Sequence, residues 1–354
     1  MILQRYILRE LIGSFVFAFM TVLGVCLVGT VFQVFRAFPG LGFEVLTRAL
    51  PLAVGTMTTW VLLVASCTSS TLVYARLAAE NEITAMRTCG IHTWRIVSPA
   101  VLLGLMLVGL AYPLNEIVVP WTRWSRRLLG RDAAPTILKT PQPGKQDFRI
   151  GSTRITYTDY VDGRMQSPTV SKYDKNMVLV QEWFAPSGEI LADKDPICVK
   201  LTKPRVWRRT KTGQEEWLSA ENELTVDIPT EDLNKIPRGR PDLTAEELWE
   251  LLAATKDRLE RARILTILHT RYASSLAPML LILVAMPIGI LVRKGSRLAG
   301  LGAALPPMLI YFVSYFIFQG LGDKNRVSPY VAAYAPDLFL GVVAFVLLWG
   351  ISRR

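Results

Sequence analysis

Long uncharged segments alternate with short charged ones along the chain. Six segments of at least 20 residues carry no charge, apart from Asp337 in the last, and they cover 11–35, 49–75, 96–115, 272–292, 298–322 and 327–352. About 20 apolar residues of helix span the hydrocarbon of a bilayer, whereas strands buried in a soluble core rarely exceed about 8 residues. A soluble protein could hold one such helix but hardly six. The pattern therefore predicts six transmembrane helices, three before and three after a polar insert.

The middle of the insert, about 145–230, has the composition of a β-domain. Its short runs are rich in β-branched and aromatic residues: RITYTDY, NMVLVQEWF, ICVKLTKPRVW and NELTVDI. Turn signals separate them at Asp162–Gly163, Pro186–Gly188 and Thr212–Gly213. Because no helical period intervenes, an antiparallel sandwich or jelly roll is expected. From Asp242 the pattern becomes helical, and Thr244 with Glu247 predicts a capping box.

These patterns define the predicted fold class: an α-helical polytopic membrane protein, three plus three helices, with an inserted β-jellyroll-like domain outside the membrane. We assign residues 1–121 to the first three spans, 122–240 to the β-domain and 241–354 to a linker helix and the last three spans. The first span is too long for a cleaved signal sequence and lacks a small-residue exit site, so it is expected to remain as an anchor.

Lysine and arginine in the short loops predict the orientation. With the amino terminus inside, ten basic residues fall inside: Arg5, Arg9, Arg76, Arg87, Arg95, Arg293, Lys294, Arg297, Arg353 and Arg354. Only four fall outside: Arg36, Arg48, Lys324 and Arg326. The cluster Arg123, Arg126, Arg127 and Arg131 opposes this orientation, but it opens a long translocated region, where the rule is weak. Both termini are therefore expected in the cytoplasm.

The charge distribution and the absence of motifs exclude several functions. The chain is +11, but residues 116–271 contribute only +3, so the excess lies at the membrane faces and argues against nucleic-acid binding. Four cysteines and two histidines form no zinc spacing, and neither a phosphate-binding loop nor a catalytic triad is present. We expect no catalytic residues, no metal and no cofactor in this chain, which is not predicted to be an enzyme.

One charged segment, ARLAAENEITAMRTCGI at 75–91, links the second and third spans. Its composition predicts one helix, on which Glu80 pairs with Arg76 and Glu82 lies on the opposite, small-residue face. Gly90 is expected to end that helix. An acid on a small-residue face can approach a basic groove of another protein closely. A solvated surface helix with incidental charges remains the alternative.

Several motifs, in the same order, resemble the lipopolysaccharide-export permeases of the LptF/LptG family. ENEITAMRTCGI resembles the family's coupling helix, and RYILREL its entry to the first span. NEIVVP resembles the exit from the third span, RYASSLAPMLLILVAMPIGI the fourth, and SPYVAAYAPDLFLGVVAFVLL the sixth. The family commonly has Pro-Asn where this chain has Pro336-Asp337. The resemblance is strongest at 75–91 and 271–300 and weakest in the β-domain.

The resemblance implies a permease subunit of an ABC transporter in the bacterial inner membrane. It implies an LptB-like cytoplasmic ATPase dimer that binds ATP and Mg²⁺, and a second LptF/LptG-type permease or a second copy of this chain. Lipopolysaccharide or a related glycolipid would leave through the periplasmic β-domain towards LptC/LptA-like bridge proteins. Glu82 matches the family's coupling glutamate and Glu80 an acid of some members, and Met86 and Arg87 belong to the same predicted ATPase-coupling surface. Both acids favour the LptF branch without assigning it.

Three arginines are predicted to contact substrate, because lipopolysaccharide carries phosphorylated sugars above acyl chains. Arg36 and Arg271 resemble basic positions of the family, and Arg48 has the same chemistry. A topology anchor is the alternative for Arg36 and Arg48, and a structural role is the alternative for Arg271.

Two further hypotheses stay open. The chain could be a membrane receptor or scaffold, or a mechanotransmission permease whose external domain binds a partner without moving lipid. Asp337 follows Pro336, which predicts a place in the first turn of a helix at the outer interface. A functional role at mid-membrane is the alternative for Asp337.

Overall fold

The computed structural model describes residues 2–37, 43–139, 146–150, 153–161, 163–174, 179–191, 197–209, 215–219, 223–228, 238–292 and 297–353. Within them, six helices are long and apolar enough to cross a membrane, which confirms the prediction of six spans. The spans are Ile2–Gln33, Thr47–Ala79, Thr93–Leu129, Arg258–Leu291, Gly300–Asp323 and Pro329–Ile351.

The α-helices are α1 (Ile2–Ala37), α2 (Phe43–Ala79), α3 (Glu82–Thr88), α4 (Thr93–Pro113), α5 (Val119–Lys139), α6 (Ala245–Ala254), α7 (Arg258–Leu291), α8 (Arg297–Asp323) and α9 (Pro329–Arg353). A π-helical turn, Leu114–Val118, joins α4 to α5, and a 3₁₀ turn, Arg240–Asp242, precedes α6. The predicted capping box starts α6: the Thr244 hydroxyl accepts from the Glu247 amide at 3.4 Å, and the Glu247 carboxylate accepts from the Thr244 amide at 2.8 Å.

In the part of the chain that the structure describes, eleven antiparallel strands form two sheets in the middle, which confirms the inserted β-domain. They are β1 (Gln146–Ile150), β2 (Thr153–Tyr157), β3 (Asp159–Val161), β4 (Arg164–Gln166), β5 (Thr169–Tyr173), β6 (Leu179–Phe184), β7 (Ser187–Leu191), β8 (Ile197–Thr202), β9 (Arg205–Arg209), β10 (Glu215–Ser219) and β11 (Leu224–Ile228). One sheet has the order β1-β2-β5-β6-β9-β10 and the other β11-β8-β7-β4-β3. Pairs of strands thus alternate between the sheets, as in a jelly roll.

Inward-facing side chains of both sheets form the core of this domain. Ile155, Val170 and Trp183 come from the first sheet, and Met165 and Val199 from the second. The predicted turn at Gly163 lies between β3 and β4, where φ is +80°. At the second turn signal, Pro186 separates β6 from β7, which begins at Ser187. The third turn signal, Thr212–Gly213, lies outside the described residues.

The chain divides into two compact units. The first, called the membrane unit below, comprises Met1–Thr30, Leu50–Trp124 and Gly239–Arg354. The second, the insert unit, comprises Val31–Ala49 and Ser125–Arg238.

Glycines bring α7 into backbone contact with α2 inside the membrane unit. A Cβ on Gly289 would lie 2.7 Å from the carbonyl oxygen of Thr71. Gly300 of α8 also faces α2, with 3.2 Å from such a Cβ to that of Ala75. Small residues at these positions permit close approach of membrane helices, where dispersion contacts and hydrogen bonds drive association.

Asp337 does not lie in the first turn of a helix, so that prediction is wrong. It is the ninth residue of α9 and only 6% exposed, and among the described residues its Oδ2 atom has no hydrogen-bond partner. The helix begins at Pro329 instead, since the Ser328 hydroxyl accepts from the Val331 amide at 3.4 Å and the Ser328 carbonyl accepts from the Ala332 amide at 2.9 Å. Pro329 therefore fills the first helical position, where its missing N–H is harmless, and Pro336 is an interior proline.

Candidate functional site

The segment 75–91 forms two helices and a turn rather than one helix. Helix α2 ends at Ala79, and α3 runs from Glu82 to Thr88. Between them Asn81 adopts φ 59° and ψ 12°, in the left-handed region that Asn tolerates better than most residues. Because the helix is interrupted at Asn81, side-chain directions calculated for one continuous helix do not apply to the whole segment. Arg76 pairs with Glu10 of α1 at 3.1 Å and not, as predicted, with Glu80.

The predicted role of Gly90 as a helix terminator is confirmed. Gly90 has φ +77°, its amide donates to the Arg87 carbonyl at 3.0 Å, and the Ile91 amide donates to the Met86 carbonyl at 3.0 Å. This pair of bonds is the Schellman motif, in which a left-handed residue reverses the chain after a helix. The His92 ring then accepts from the Trp94 amide at 3.1 Å and caps α4. A tight turn therefore defines each end of α3.

Burial divides the predicted coupling residues into two groups. Ile83 and Met86 are buried in the largest hydrophobic cluster of the membrane unit, with Met86 only 8% exposed. Glu80, Asn81, Ala85 and Thr88 are exposed. Since Met86 is held inside, its side chain anchors α3 and presents little surface to another protein.

Glu82 is half-buried and contacts the first helix. The Tyr6 hydroxyl donates to the Glu82 Oε1 atom at 3.4 Å. Together with the Glu10–Arg76 pair, this contact joins the amino-terminal turns of α1 to both sides of the α2–α3 turn. Tyr6 and Glu10 were not identified from the sequence, although the RYILREL motif contains both.

Arg87 connects α3 to the last helix. Its Nη2 atom donates to the carbonyl oxygen of Ile351, near the end of α9, at 3.3 Å. Carbonyls in the last turn of a helix have no helical partner, and a cation there also complements the helix dipole. Arg87 is therefore engaged within the chain.

The predicted substrate residue Arg271 lies on α7 and binds backbone carbonyls. Its two terminal nitrogens donate to the Leu243 and Pro241 oxygens at 2.7 and 2.9 Å. These contacts tie the segment before α6 to the fourth span, so the structural alternative has direct support. Arg271 also lines a polar cavity of about 110 Å³, together with Arg123, Asn115 and Thr270.

Asn115 and Glu116 of the π-helical turn organise the same region. The buried Asn115 amide donates to the Ser275 and Ser274 hydroxyls at 2.9 and 3.3 Å, and its oxygen accepts from Thr59 at 2.7 Å. Glu116 accepts from the Ala245 amide at the start of α6, at 2.8 Å. Sequence analysis gave these residues no individual role. The signal available in the sequence was the pair of polar residues Asn115 and Glu116 next to a long apolar segment.

The other two predicted substrate residues belong to the insert unit. Arg48 is exposed near the start of α2, and Arg36 lies in α1, with its side chain outside the described residues. The geometry thus brings the predicted residue Arg271 together with Arg123 in one cavity of the membrane unit.

Comparison with known proteins assigns the family. No curated protein matches the chain. The family of the lipopolysaccharide export system permease LptF/LptG matches residues 5–350, nearly the whole chain. The six spans and the inserted β-sheets agree with this match. The chain belongs to the LptF/LptG family of lipopolysaccharide export permeases.

Proposed function

We propose that the chain is the membrane subunit of an ABC transporter that extracts lipopolysaccharide, or a related glycolipid, from the inner membrane. A separate ATPase dimer, which binds ATP and Mg²⁺, would drive extraction, and a second permease of the family or a second copy of this chain would complete the pathway. The family match over residues 5–350 is the observation that carries this proposal. The β-domain would pass the lipid towards bridge proteins in the periplasm.

The α2–α3 turn is the proposed contact for the ATPase. Glu80, Asn81, Ala85 and Thr88 form its exposed surface, while Met86 holds the helix in the core. The small side chain of Ala85 allows close approach of a partner, and Glu80 offers a carboxylate to a basic groove. This surface lies near the amino terminus of α1, which the arginine distribution predicts to be cytoplasmic.

Motion at α3 has two routes into the transmembrane helices. The first is through Glu82 and Tyr6 to α1, and the second is through Arg87 and the Ile351 carbonyl to α9. We infer that Glu82 and Arg87 transmit the movement of the ATPase, whereas Glu80 contributes to docking.

For the substrate, we propose phosphate contacts at Arg36 and Arg48, which the loop charges predict to lie outside the cytoplasm. Arg271 has mainly a structural role, because its two terminal nitrogens already donate to the backbone carbonyls of Leu243 and Pro241. Arg271 and Arg123 both line the cavity of about 110 Å³.

The proposal is tested by purifying the chain with its co-expressed ATPase and measuring ATP-dependent release of lipopolysaccharide from reconstituted vesicles. Glu82→Lys is expected to abolish release while the complex remains assembled, and Glu80→Lys is expected to reduce the amount of bound ATPase. Glu250→Lys is the matched control, because Glu250 is an exposed acid of α6, away from α3.

Full transport by an assembled Glu82→Lys complex would refute the proposed transmission route. If the chain purifies with a periplasmic protein only, and no ATPase is bound, the transporter proposal fails and the receptor or scaffold hypothesis is favoured.

A further inference from the structure

A groove separates the first turns of α1 from the first three turns of α4 in the membrane unit. It has a volume of about 540 Å³, and its lining includes Arg5, Leu8, Trp94, Ser98, Leu102 and Leu105. The Gln4 amide donates to the Ser98 hydroxyl at 2.9 Å and bridges the two helices. The groove thus has a hydrogen-bonded polar end and apolar walls.

Arg5 lines the groove, and Arg9 and Arg95 directly follow the lining residues Leu8 and Trp94 in the sequence. Arg5, Arg9 and Arg95 are exposed, and within the described residues none of their guanidinium groups has a hydrogen bond or an ion pair. The acids of this region are engaged elsewhere, since Glu10 pairs with Arg76 and Glu82 contacts Tyr6. The charge at this end therefore fits an anionic ligand.

The length of the groove matches one leaflet of a bilayer. Trp94 and Leu105 are eleven residues apart on α4, which corresponds to about 16 Å at the helical rise. Half of the hydrocarbon thickness is about 15 Å. Trp94 is 61% exposed at the helix start, and tryptophan prefers the membrane–water interface. Arg5 and Trp94 then lie at headgroup depth, and Leu105 lies near the depth at which acyl chains end.

We propose that this groove binds one anionic glycerophospholipid of the leaflet next to the amino terminus. The phosphate pairs with Arg5, and one acyl chain follows Leu102 and Leu105. The lining of the groove belongs to the membrane unit, whereas Arg36 and Arg48, the proposed substrate contacts, belong to the insert unit.

The ligand would also strengthen the support of α3. Leu8 and Val101, which line the groove, pack against the cluster that contains Ile83 and Met86. A lipid that holds α1 to α4 therefore stabilises the surface on which α3 rests.

The experiment is a lipid titration of the full-length, delipidated chain, read by native mass spectrometry. The probes are dioleoyl-phosphatidylglycerol and dioleoyl-phosphatidylcholine. We expect one tight phosphatidylglycerol, and we expect Arg5→Gln to weaken it about fivefold, as for the loss of one basic contact at a membrane surface. Arg326→Gln is the charge control, because Arg326 is exposed in the turn between α8 and α9.

A second pair of variants separates seating in the groove from diffuse attraction. Leu102→Trp fills the apolar part without changing charge, and it should remove the tight phosphatidylglycerol. Leu309→Trp, at a position 56% exposed on α8, should leave the lipid bound. The proposal is overturned if Arg5→Gln and Arg326→Gln bind alike, or if Leu102→Trp binds as the native chain does. A photocrosslinker at position 105 that captures a protein in native membranes, and no phospholipid, would also overturn it.

Discussion

A single buried amide, Asn115, joins three elements of the membrane unit. Thr59 of α2 donates to its oxygen, and its nitrogen donates to Ser274 and Ser275 of α7. Asn115 is only 5% exposed, and a buried polar group that loses its hydrogen-bond partner costs free energy. The amide therefore fixes the register of α2 and α7 around the π-helical turn.

Thr59→Val tests this network by removing one hydrogen bond without changing the shape of the side chain. It leaves the Asn115 oxygen without its partner from α2, and we expect a loss of about 1–2 kcal/mol in the free energy of unfolding. Thermal unfolding in detergent measures the effect. Thr58→Val is the matched control, since the Thr58 hydroxyl bonds only to the Val54 carbonyl of its own helix, at 2.7 Å. Equal stability of the two variants would exclude the proposed role of Asn115.

The burial of single residues was the property least predictable from the sequence. Glu80 and Glu82 look equivalent in the sequence, yet one is exposed and the other is half-buried against Tyr6. Asp337 looked like an interfacial acid because Pro336 was taken as a helix start, whereas Ser328 and Pro329 carry the actual capping signal. Such distinctions depend on neighbours that are distant in the sequence.

At the scale of elements, backbone contact through glycine organises the packing of the spans. Helix α7 is the most buried of the six, and Gly289 places it against the Thr71 carbonyl of α2. Of Gly300 and Gly302 in α8, only Gly300 would bring a Cβ within 4 Å of a neighbour. A glycine that faces lipid and a glycine that packs against a helix look alike in the sequence, because the hydrocarbon of lipid is as apolar as the surface of a helix.

Gly289→Ala is therefore expected to separate α7 from α2. The new methyl group would lie 2.7 Å from a backbone oxygen, which cannot rotate away, and we expect a loss of about 1–3 kcal/mol in stability. Gly302→Ala is the control, because a Cβ there meets nothing within 4 Å and alanine favours helix by about 1 kcal/mol. Urea unfolding should show a lower free energy of unfolding for Gly289→Ala and a higher one for Gly302→Ala than for the native chain. A neutral Gly289→Ala would contradict the close approach.

Segment types were predictable from the sequence, but breaks in helices were not. The six spans follow from apolar length, and the strands from β-branched runs, both of which are local properties. The turn at Asn81 interrupts a sequence with good helix formers on both sides, and it is stabilised by Ile83 and Met86 packing into the membrane unit. That tertiary contact overrides helix propensity and has no local signal.

For the whole molecule, the division into two units predicts that they unfold separately. The β-domain has a hydrophobic core of its own, in which Val199 is fully buried, and the membrane unit has three other clusters. A domain with a separate core can in principle fold alone. Damage to one core should therefore leave the other intact.

Val199→Asp tests this independence by placing an unpaired charge in the β-core, a change that costs several kcal/mol. We expect hydrogen exchange to become fast in β8 while the peptides of α7 stay protected and the ATPase still binds α3. Thr225→Asp puts the same charge on an exposed position of β11 and should change neither. If lipopolysaccharide release stops in Val199→Asp although the ATPase remains bound and active, the β-domain is required for passage of the lipid. Uniform loss of protection in both units would instead mean that the chain folds as one cooperative body.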